Sequence, residues 1–124
     1  MEPKIRVPKS ILFTLNQIYE MDQKLKKNGD PSNLLYNFEK IKNTFMHYDH
    51  TIGFAYEDPS GLPFKETRTD IEATISGSLT DDLVVVEVIK PIIRAFLRNE
   101  FGETTNVVQK GIVVVKSRKE NSSL

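Results

Sequence analysis

The residues best suited to metal binding cluster as His47, Asp49 and His50, at the end of an amphipathic stretch. Two histidines three positions apart can share a helical face and bind zinc. No third ligand stands at metal-site spacing, and a histidine at a helix C-terminus is also stabilised by the helix dipole alone. The sequence therefore predicts no metal ligands here.

Acidic residues that could carry acid–base catalysis occur at Asp81, Asp82 and Glu87. Adjacent residues entering a strand diverge to opposite faces, so Asp81 and Asp82 are interpreted as polar loop residues. Glu87 lies inside an apolar strand and is expected on its exposed face. The glycines match no phosphate-binding spacing, and the chain has no cysteine. We therefore expect a protein that is not an enzyme, with no catalytic residue and no cofactor.

Charge and hydropathy limit the partners. The 124 residues include 17 basic and 17 acidic side chains, so the formal net charge is zero. A nucleic-acid groove needs a surplus of basic residues on one face, and we expect no nucleic-acid partner. No apolar run approaches the ~18 residues that span a bilayer, and the N-terminus lacks a secretory signal. The expectation is a cytoplasmic protein that does not associate with membranes.

Two stretches have the apolar spacing of amphipathic helices, four and three residues apart. Residues 1–9 are expected to be an irregular lead-in, and residues 10–52 to form an antiparallel helical hairpin. The second helix is predicted over residues 31–50. The two stripes are Ile11, Leu15, Ile18, Asp22 and Leu25, and Leu34, Phe38, Ile41, Phe45 and Tyr48.

The break between the two helices has the residue types of a helix end and a helix start. Gly29 suits the C-terminal cap, Asp30 can cap the next helix, and Pro31 suits its first position. Asp22 is either a residue at the end of a bundle or a buried polar group, and we favour the first. The pattern leaves open whether a second copy or the chain's own C-terminal half covers the hairpin.

The C-terminal half has the period of strands. Residues 51–70 form a joint with a turn at Asp58–Gly61. Strands are predicted over residues 72–76, 83–89 and 112–116, with the last two as sheet neighbours. Residues 91–101 fit either a helix or a strand followed by a turn at Gly102. Residues 53–117 are thus expected to form a β-domain, and residues 118–124 a disordered tail. The predicted fold class is α+β.

Several stretches of the chain resemble the GrpE family, the nucleotide exchange factors of DnaK-type chaperones. Gly53 lies near where that family leaves its helical bundle. Gly61–Phe64 is similar to its glycine-x-proline-phenylalanine step, and Asp70–Ala73 to its histidine-glutamate-alanine strand start. Val84–Lys90 is similar to the strand before its glutamine-lysine-glycine-tyrosine turn, and Gly111–Val115 to its closing strand. The match spans about residues 10–117, and the order of the motifs carries it.

The sequence also departs from the family. Residues 1–9 cannot form its long N-terminal helix, so the resemblance is to a short form. Lys90–Ile92 replaces lysine-glycine-tyrosine, and Val107–Lys110 replaces an arginine-rich step. The hairpin around Phe101–Glu103 is longer.

The resemblance implies a homodimer whose four-helix bundle takes two helices from each chain. The implied dimer interface comprises Leu15, Ile18, Leu34, Phe38, Ile41, Phe45 and Tyr48. The segment Ile92–Arg98 becomes a strand of a small β-wing. By position, Ile89, Lys90 and Val115 match places where the family meets its chaperone; Arg94 and Arg98, on the same wing, could add charge pairing.

The implied function is nucleotide exchange. The protein would bind the nucleotide-binding domain of a DnaK-type ATPase and promote ADP release by stabilising an open cleft. The alternative is a non-catalytic dimeric adaptor that keeps the GrpE scaffold and serves a different protein partner.

Overall fold

The computed structural model describes residues 6–121, in which two helices precede six strands and a final helical turn. The fold is α+β, as predicted, with a helical N-terminal part followed by a β-rich part. The elements are α1 (Lys9–Asn28), α2 (Leu34–Met46), β1 (Ile52–Glu57), β2 (Ile71–Ile75), β3 (Leu83–Lys90), β4 (Ile92–Asn99), β5 (Gly102–Gln109), β6 (Gly111–Ser117) and α3 (Arg118–Asn121).

α1 forms where the sequence repeats apolar residues four and three positions apart. Ile11, Leu15 and Ile18 on this stripe are buried. The helix ends at Asn28 and is capped by Gly29, whose N–H donates to the carbonyl oxygen of Leu25 and whose φ is 94°. A positive φ favours glycine, which explains the predicted stop. Within residues 6–121, no helix combines the length and apolar character needed to cross a bilayer.

α2 is shorter than predicted at both ends. Asp30 caps it as expected, since its two carboxylate oxygens accept the N–H groups of Leu34 and Leu35 at 2.7 and 2.8 Å. The helix nevertheless begins at Leu34 and not at Pro31, because Asn33 adopts a left-handed conformation with φ 56°. It ends at Met46, four residues before the predicted end.

Contacts divide the chain into two units that do not follow the predicted boundary at residue 53. The first unit holds the residues up to Tyr56 together with Ile93–Val108, and the second holds Glu57–Ile92 together with the residues from Gln109 onward. The sequence placed all strands in one β-domain. The structure instead gives three strands to the unit that contains α1 and α2.

The first unit joins α1 and α2 to a three-stranded sheet with the order β1-β4-β5. Its core comprises Ile11, Leu15, Phe54, Ile93 and Ala95. β1 alternates Ile52, Phe54 and Tyr56, and these three side chains belong to the core cluster or pack against it. This is the period-two pattern of a half-buried strand, although the segment was predicted only as a joint.

The second unit is a three-stranded sheet with the order β2-β6-β3. β6 pairs parallel to β2 and antiparallel to β3, which confirms the predicted neighbours. The core of this unit comprises Ile71, Leu83, Val85, Ile92, Val113 and Val115.

The ambiguous segment is a strand. β4 and β5 are joined by a two-residue turn, Glu100-Phe101, and the following Gly102 has a φ of 132°. Consecutive residues of β4 serve different cores, since Ile92 is buried in the second unit and Ile93 in the first.

Two local predictions need correction. The turn predicted at Asp58–Gly61 lies one residue later, with Leu62 N–H donating to the carbonyl of Pro59 at 3.1 Å and Gly61 at φ 78°. The predicted disordered tail instead begins with a helical turn, α3. Side-chain contacts hold α3 to the loop between β2 and β3. Residues 1–5 of the predicted lead-in and 122–124 of the predicted tail lie outside the described residues.

Candidate functional site

Two of the predicted contact residues lie at the C-terminal end of β3 and are accessible. The side chain of Ile89 is 56% exposed, and the neighbouring Lys90 is also exposed. A large aliphatic side chain exposed to this extent at a strand end is a candidate contact for another molecule.

Two bulges shape this end of β3. The pairing with β6 skips Val86, so Val86 and Glu87 together oppose Val114. It skips Ile89 in the same way, so Ile89 and Lys90 oppose Ile112. A bulge places two residues opposite one and turns side chains out of the regular ladder. Val86 is accordingly 48% exposed, although it lies in the most apolar strand of the chain.

The register of β6 corrects the prediction for Val115. Val115 opposes Val85, and both are buried on the inner face of the sheet. Opposed residues of an antiparallel pair share one face, so Val115 cannot meet a partner unless the core opens. Its neighbour Val114 lies on the other face, opposite Glu87. The predicted contact role of Val115 therefore does not fit its burial.

These residues define what we term the outer face of the second sheet. Its centre is aliphatic, and its margin is charged. Glu72 of β2 pairs in register with Ile112, and its carboxylate lies 3.9 Å from the ammonium of Lys110. The outer face comprises Val86, Glu87, Ile89 and Lys90 of β3, Ile112 and Val114 of β6, and Glu72 and Thr74 of β2.

The edge of β3 is covered only along its first half. Val85 accepts the N–H of Gly61 and donates to the carbonyl of Leu62, both at 2.9 Å. Phe64 N–H donates to the carbonyl of Leu83 at the same distance. The bulges begin where this cover ends. Bulges on an edge strand oppose the addition of another strand, so the outer face is suited to side-chain contacts.

The two predicted arginines belong to the first unit. Arg94 is half-buried in β4. The guanidinium of Arg98 donates to the carbonyl oxygen of Met46 at 2.8 Å and to the carboxylate of Glu103 at 2.9 Å. Arg98 therefore serves the fold, because it caps the C-terminal end of α2 and links it to β4 and β5.

The predicted dimer residues separate into three groups. Leu15 and Ile18 are buried in the chain's own first unit, so they do not face another copy. Phe38 and Phe45 of α2 are half-buried. Leu34, Ile41 and Tyr48 are exposed by 46%, 39% and 53%. These three residues lie seven positions apart, which places Leu34 and Ile41 on one side of α2. We call this side the α2 stripe.

Asp22 is a buried polar group, only 2% exposed, that contacts three other side chains. Its Oδ2 accepts the hydroxyl of Tyr56 at 3.1 Å and lies 3.2 Å from the ammonium of Lys26 and 3.7 Å from that of Lys42. Asp22 is thus the buried polar group that the sequence analysis did not favour. It joins α1, α2 and β1. Its position on the apolar stripe of α1 did not by itself indicate its partners Lys42 of α2 and Tyr56 of β1.

The environment of Tyr56 changes the pKa of its phenol. Its burial, followed by the charge and the hydrogen bond of Asp22, raises the pKa of the phenol well above its ordinary value of 10.0. A phenol that holds its proton so firmly is a poor acid–base catalyst near neutral pH. The ring also lies edge-on to Tyr19, with 5.4 Å between centroids. The cluster therefore stabilises the first unit.

A groove of about 220 Å³ opens beside this cluster. Its apolar wall is formed by Leu15, Met46 and Phe54, and its polar side by Glu39 and Lys42. The ammonium of Lys42 already lies 2.6 Å from Glu39 and contacts Asp22. Its charge is thus neutralised within the chain.

The remaining chemical candidates have structural partners. Asp49 Oδ1 accepts the N–H groups of Thr51 and Ile52 and the hydroxyl of Thr51, which lowers the pKa of Asp49 below its ordinary value of 3.8. Nδ1 of His47 lies 3.1 Å from the carbonyl oxygen of Asn43. Among residues 6–121, no three histidine, aspartate or glutamate side chains are grouped so that they could hold a metal ion.

Comparisons with protein-family models, with curated proteins and with solved structures find no match to this chain.

Proposed function

We propose that this protein is a GrpE-like nucleotide exchange factor, which binds the nucleotide-binding domain of a DnaK-type chaperone in the cytoplasm. The observation that carries the proposal is the outer face, where the bulges of β3 expose Val86 and Ile89 beside charged side chains. An aliphatic centre with a charged margin is the usual composition of a protein–protein interface. Ile89 and Lys90, which the resemblance assigns to the contact, lie on this face.

The proposed mechanism is differential binding. The factor stabilises an open conformation of the chaperone's nucleotide cleft, and this conformation retains ADP poorly. Reciprocity of linked equilibria requires that bound nucleotide weakens the binding of the factor by the same ratio. No covalent step is needed, which is consistent with the structural roles of Asp22, Asp49 and His47.

The α2 stripe supports the proposal that the working form is a homodimer. Leu34 and Ile41 are large aliphatic residues that remain exposed on one side of α2, a helix that has no fully buried residue of its own. A second copy with the same stripe would cover them by a two-fold symmetric contact. The half-buried Phe38 and Phe45 lie next to this stripe and would be covered further.

The direct test is the release of labelled ADP from a DnaK-type ATPase of the same cell. We expect saturating protein to accelerate release, and Ile89→Asp to weaken the effect at least about tenfold, because it places a charge in the aliphatic centre. The matched control is Ile75→Asp, since Ile75 is an exposed aliphatic residue of the same sheet opposite the inward-facing Val115. Release that saturating protein does not accelerate would rule out nucleotide exchange.

The second candidate is an adaptor on the same scaffold with another protein partner. It is favoured by Pro91, which is buried and directly joins β3 to β4 where the family has a glycine. Under this alternative, Ile89→Asp abolishes binding of a partner other than the chaperone, and ADP release is unaffected by the wild-type protein.

A further inference from the structure

The loop between β2 and β3 contains a pair of main-chain donors that meet on one carboxylate oxygen. Oε1 of Glu120 in α3 accepts the N–H of Ser78 at 2.8 Å and the N–H of Leu79 at 2.6 Å. The hydroxyl of Ser78 lies 3.4 Å from the same atom. These contacts join residues 41 and 42 positions apart in the chain.

Gly77 makes this geometry possible. Its φ is 91°, a conformation that other residues rarely adopt. A Cβ at this position would lie 1.9 Å from Oε2 of Glu120, so any larger residue would displace the carboxylate. Successive N–H groups that converge after such a residue form a concave anion-binding nest.

We infer that residues 77–79 are a carboxylate-binding nest, and that Glu120 occupies it as an internal ligand, which makes α3 a strap that holds the β2–β3 loop. This role is independent of nucleotide exchange. It assigns a function to the chain's C-terminal segment and to its Gly77-Ser78 pair.

Charge complementarity identifies the chain's own α3 as the occupant. The loop carries two carboxylates beside the nest, Asp81 and Asp82. Lys119 pairs with Asp81, and Nε of Arg118 lies 3.7 Å from Oδ1 of Asp82. The strap therefore brings two cations and one carboxylate to a loop that offers two carboxylates and one nest. A free anion brings no cations of its own to Asp81 and Asp82, so it should bind the nest more weakly than the tethered Glu120 and only in excess.

The tether adds to this preference. β6 ends at Ser117 and α3 begins at the next residue, so a short tether links Glu120 to the sheet that carries the nest. An intramolecular ligand on so short a tether has a high effective concentration. Ser117 itself is buried, and its Oγ accepts the N–H of Lys119 at 3.2 Å, which fixes the first turn of α3.

Acid should open the strap. The N–H of Leu79, together with that of Ser78 and the charge of Lys116, holds the pKa of Glu120 below its ordinary value of 4.5. The stabilisation that ionised Glu120 gives to the strap is therefore fully present above pH 4.5, and it is lost as the pH falls through the lowered pKa. The pKa of Asp81 is also lowered by Lys119, so this ion pair is lost in the same direction.

The test is hydrogen exchange of the Ser78 and Leu79 amides in the full chain at neutral pH. Glu120→Ala should accelerate both at least about tenfold, and excess acetate should reverse part of the increase, whereas chloride at equal ionic strength should not. Gly77→Ala should accelerate them with Glu120 still present. The buried Val113 amide reports whether the sheet remains folded, and Glu66→Ala is the matched control.

Unchanged exchange in Glu120→Ala would contradict the strap. Faster exchange that acetate does not slow would contradict the carboxylate nest. Faster exchange at Val113 in the same variant would mean that the whole sheet has opened, which would also contradict a strap that holds only the β2–β3 loop.

Discussion

Nη2 of Arg98 in β4 donates to the main-chain carbonyl oxygen of Met46, the last residue of α2, at 2.8 Å across 52 positions of the chain. The end of α2 is therefore fixed by a strand residue. Gly53 of β1 is part of the same contact, because a Cβ there would lie 1.9 Å from that carbonyl oxygen. The close approach of helix end and sheet depends on both residues.

Arg98→Ala should lower the free energy of unfolding by about 1–2 kcal/mol, because a charge-assisted hydrogen bond to a helix end is lost. Urea unfolding measures this change. The control is Glu103→Ala, which removes only the second, half-exposed partner of Arg98 and should cost less than about 1 kcal/mol. Equal losses in the two variants would show that the ion pair, and not the helix cap, is the stabilising contact.

Tyr56→Phe should cost about 1–2 kcal/mol at neutral pH, because the hydroxyl that donates to buried Asp22 is removed. The pKa of Tyr56 is raised in the folded state, so the wild type should lose stability as the pH rises above the ordinary value of 10.0. The variant lacks this loss. The difference in unfolding free energy should therefore shrink above pH 10, and a difference that stays constant would contradict the raised pKa.

If the proposed homodimer forms through the α2 stripe, Ile41→Asp should convert it into single chains of 14.2 kDa, because it places a charge in the middle of this stripe. Light scattering measures the mass. Tyr36→Asp is the matched control, since Tyr36 is exposed on the opposite side of α2 and its ring contacts the ammonium of Lys40. A mass of 14.2 kDa for the wild type at working concentrations would rule out the dimer.

Val115→Ala should cost about 2–3 kcal/mol, because two carbons are removed from a fully buried site. Val114→Ala, on the opposite face of β6, should cost less than about 1 kcal/mol and should weaken binding at the outer face instead. Thermal or urea unfolding measures the loss of stability, and the ADP-release assay measures the loss of binding. A larger loss of stability in Val114→Ala than in Val115→Ala would mean that the register of β6 is shifted by one residue.

Local patterns in the sequence were enough to locate α1, the Gly29 stop, the Asp30 cap and three strands. These elements follow from periodicity and capping chemistry, which act between residues a few positions apart. The α+β class follows in turn from the change of period after residue 70. The exposure of Glu87 was also predicted from its place in an apolar strand, whereas Ile89 and Lys90 were named only from the resemblance.

Tertiary structure decided which side of each element is used. The bulges at Val86 and Ile89 depend on pairing with β6, and they determine that Val114, and not Val115, faces outward. Asp22 could be recognised as buried only once Lys42 and Tyr56 were brought to it from α2 and β1. A one-residue change of register reverses every side chain of a strand, and contacts across tens of residues leave no local period in the sequence.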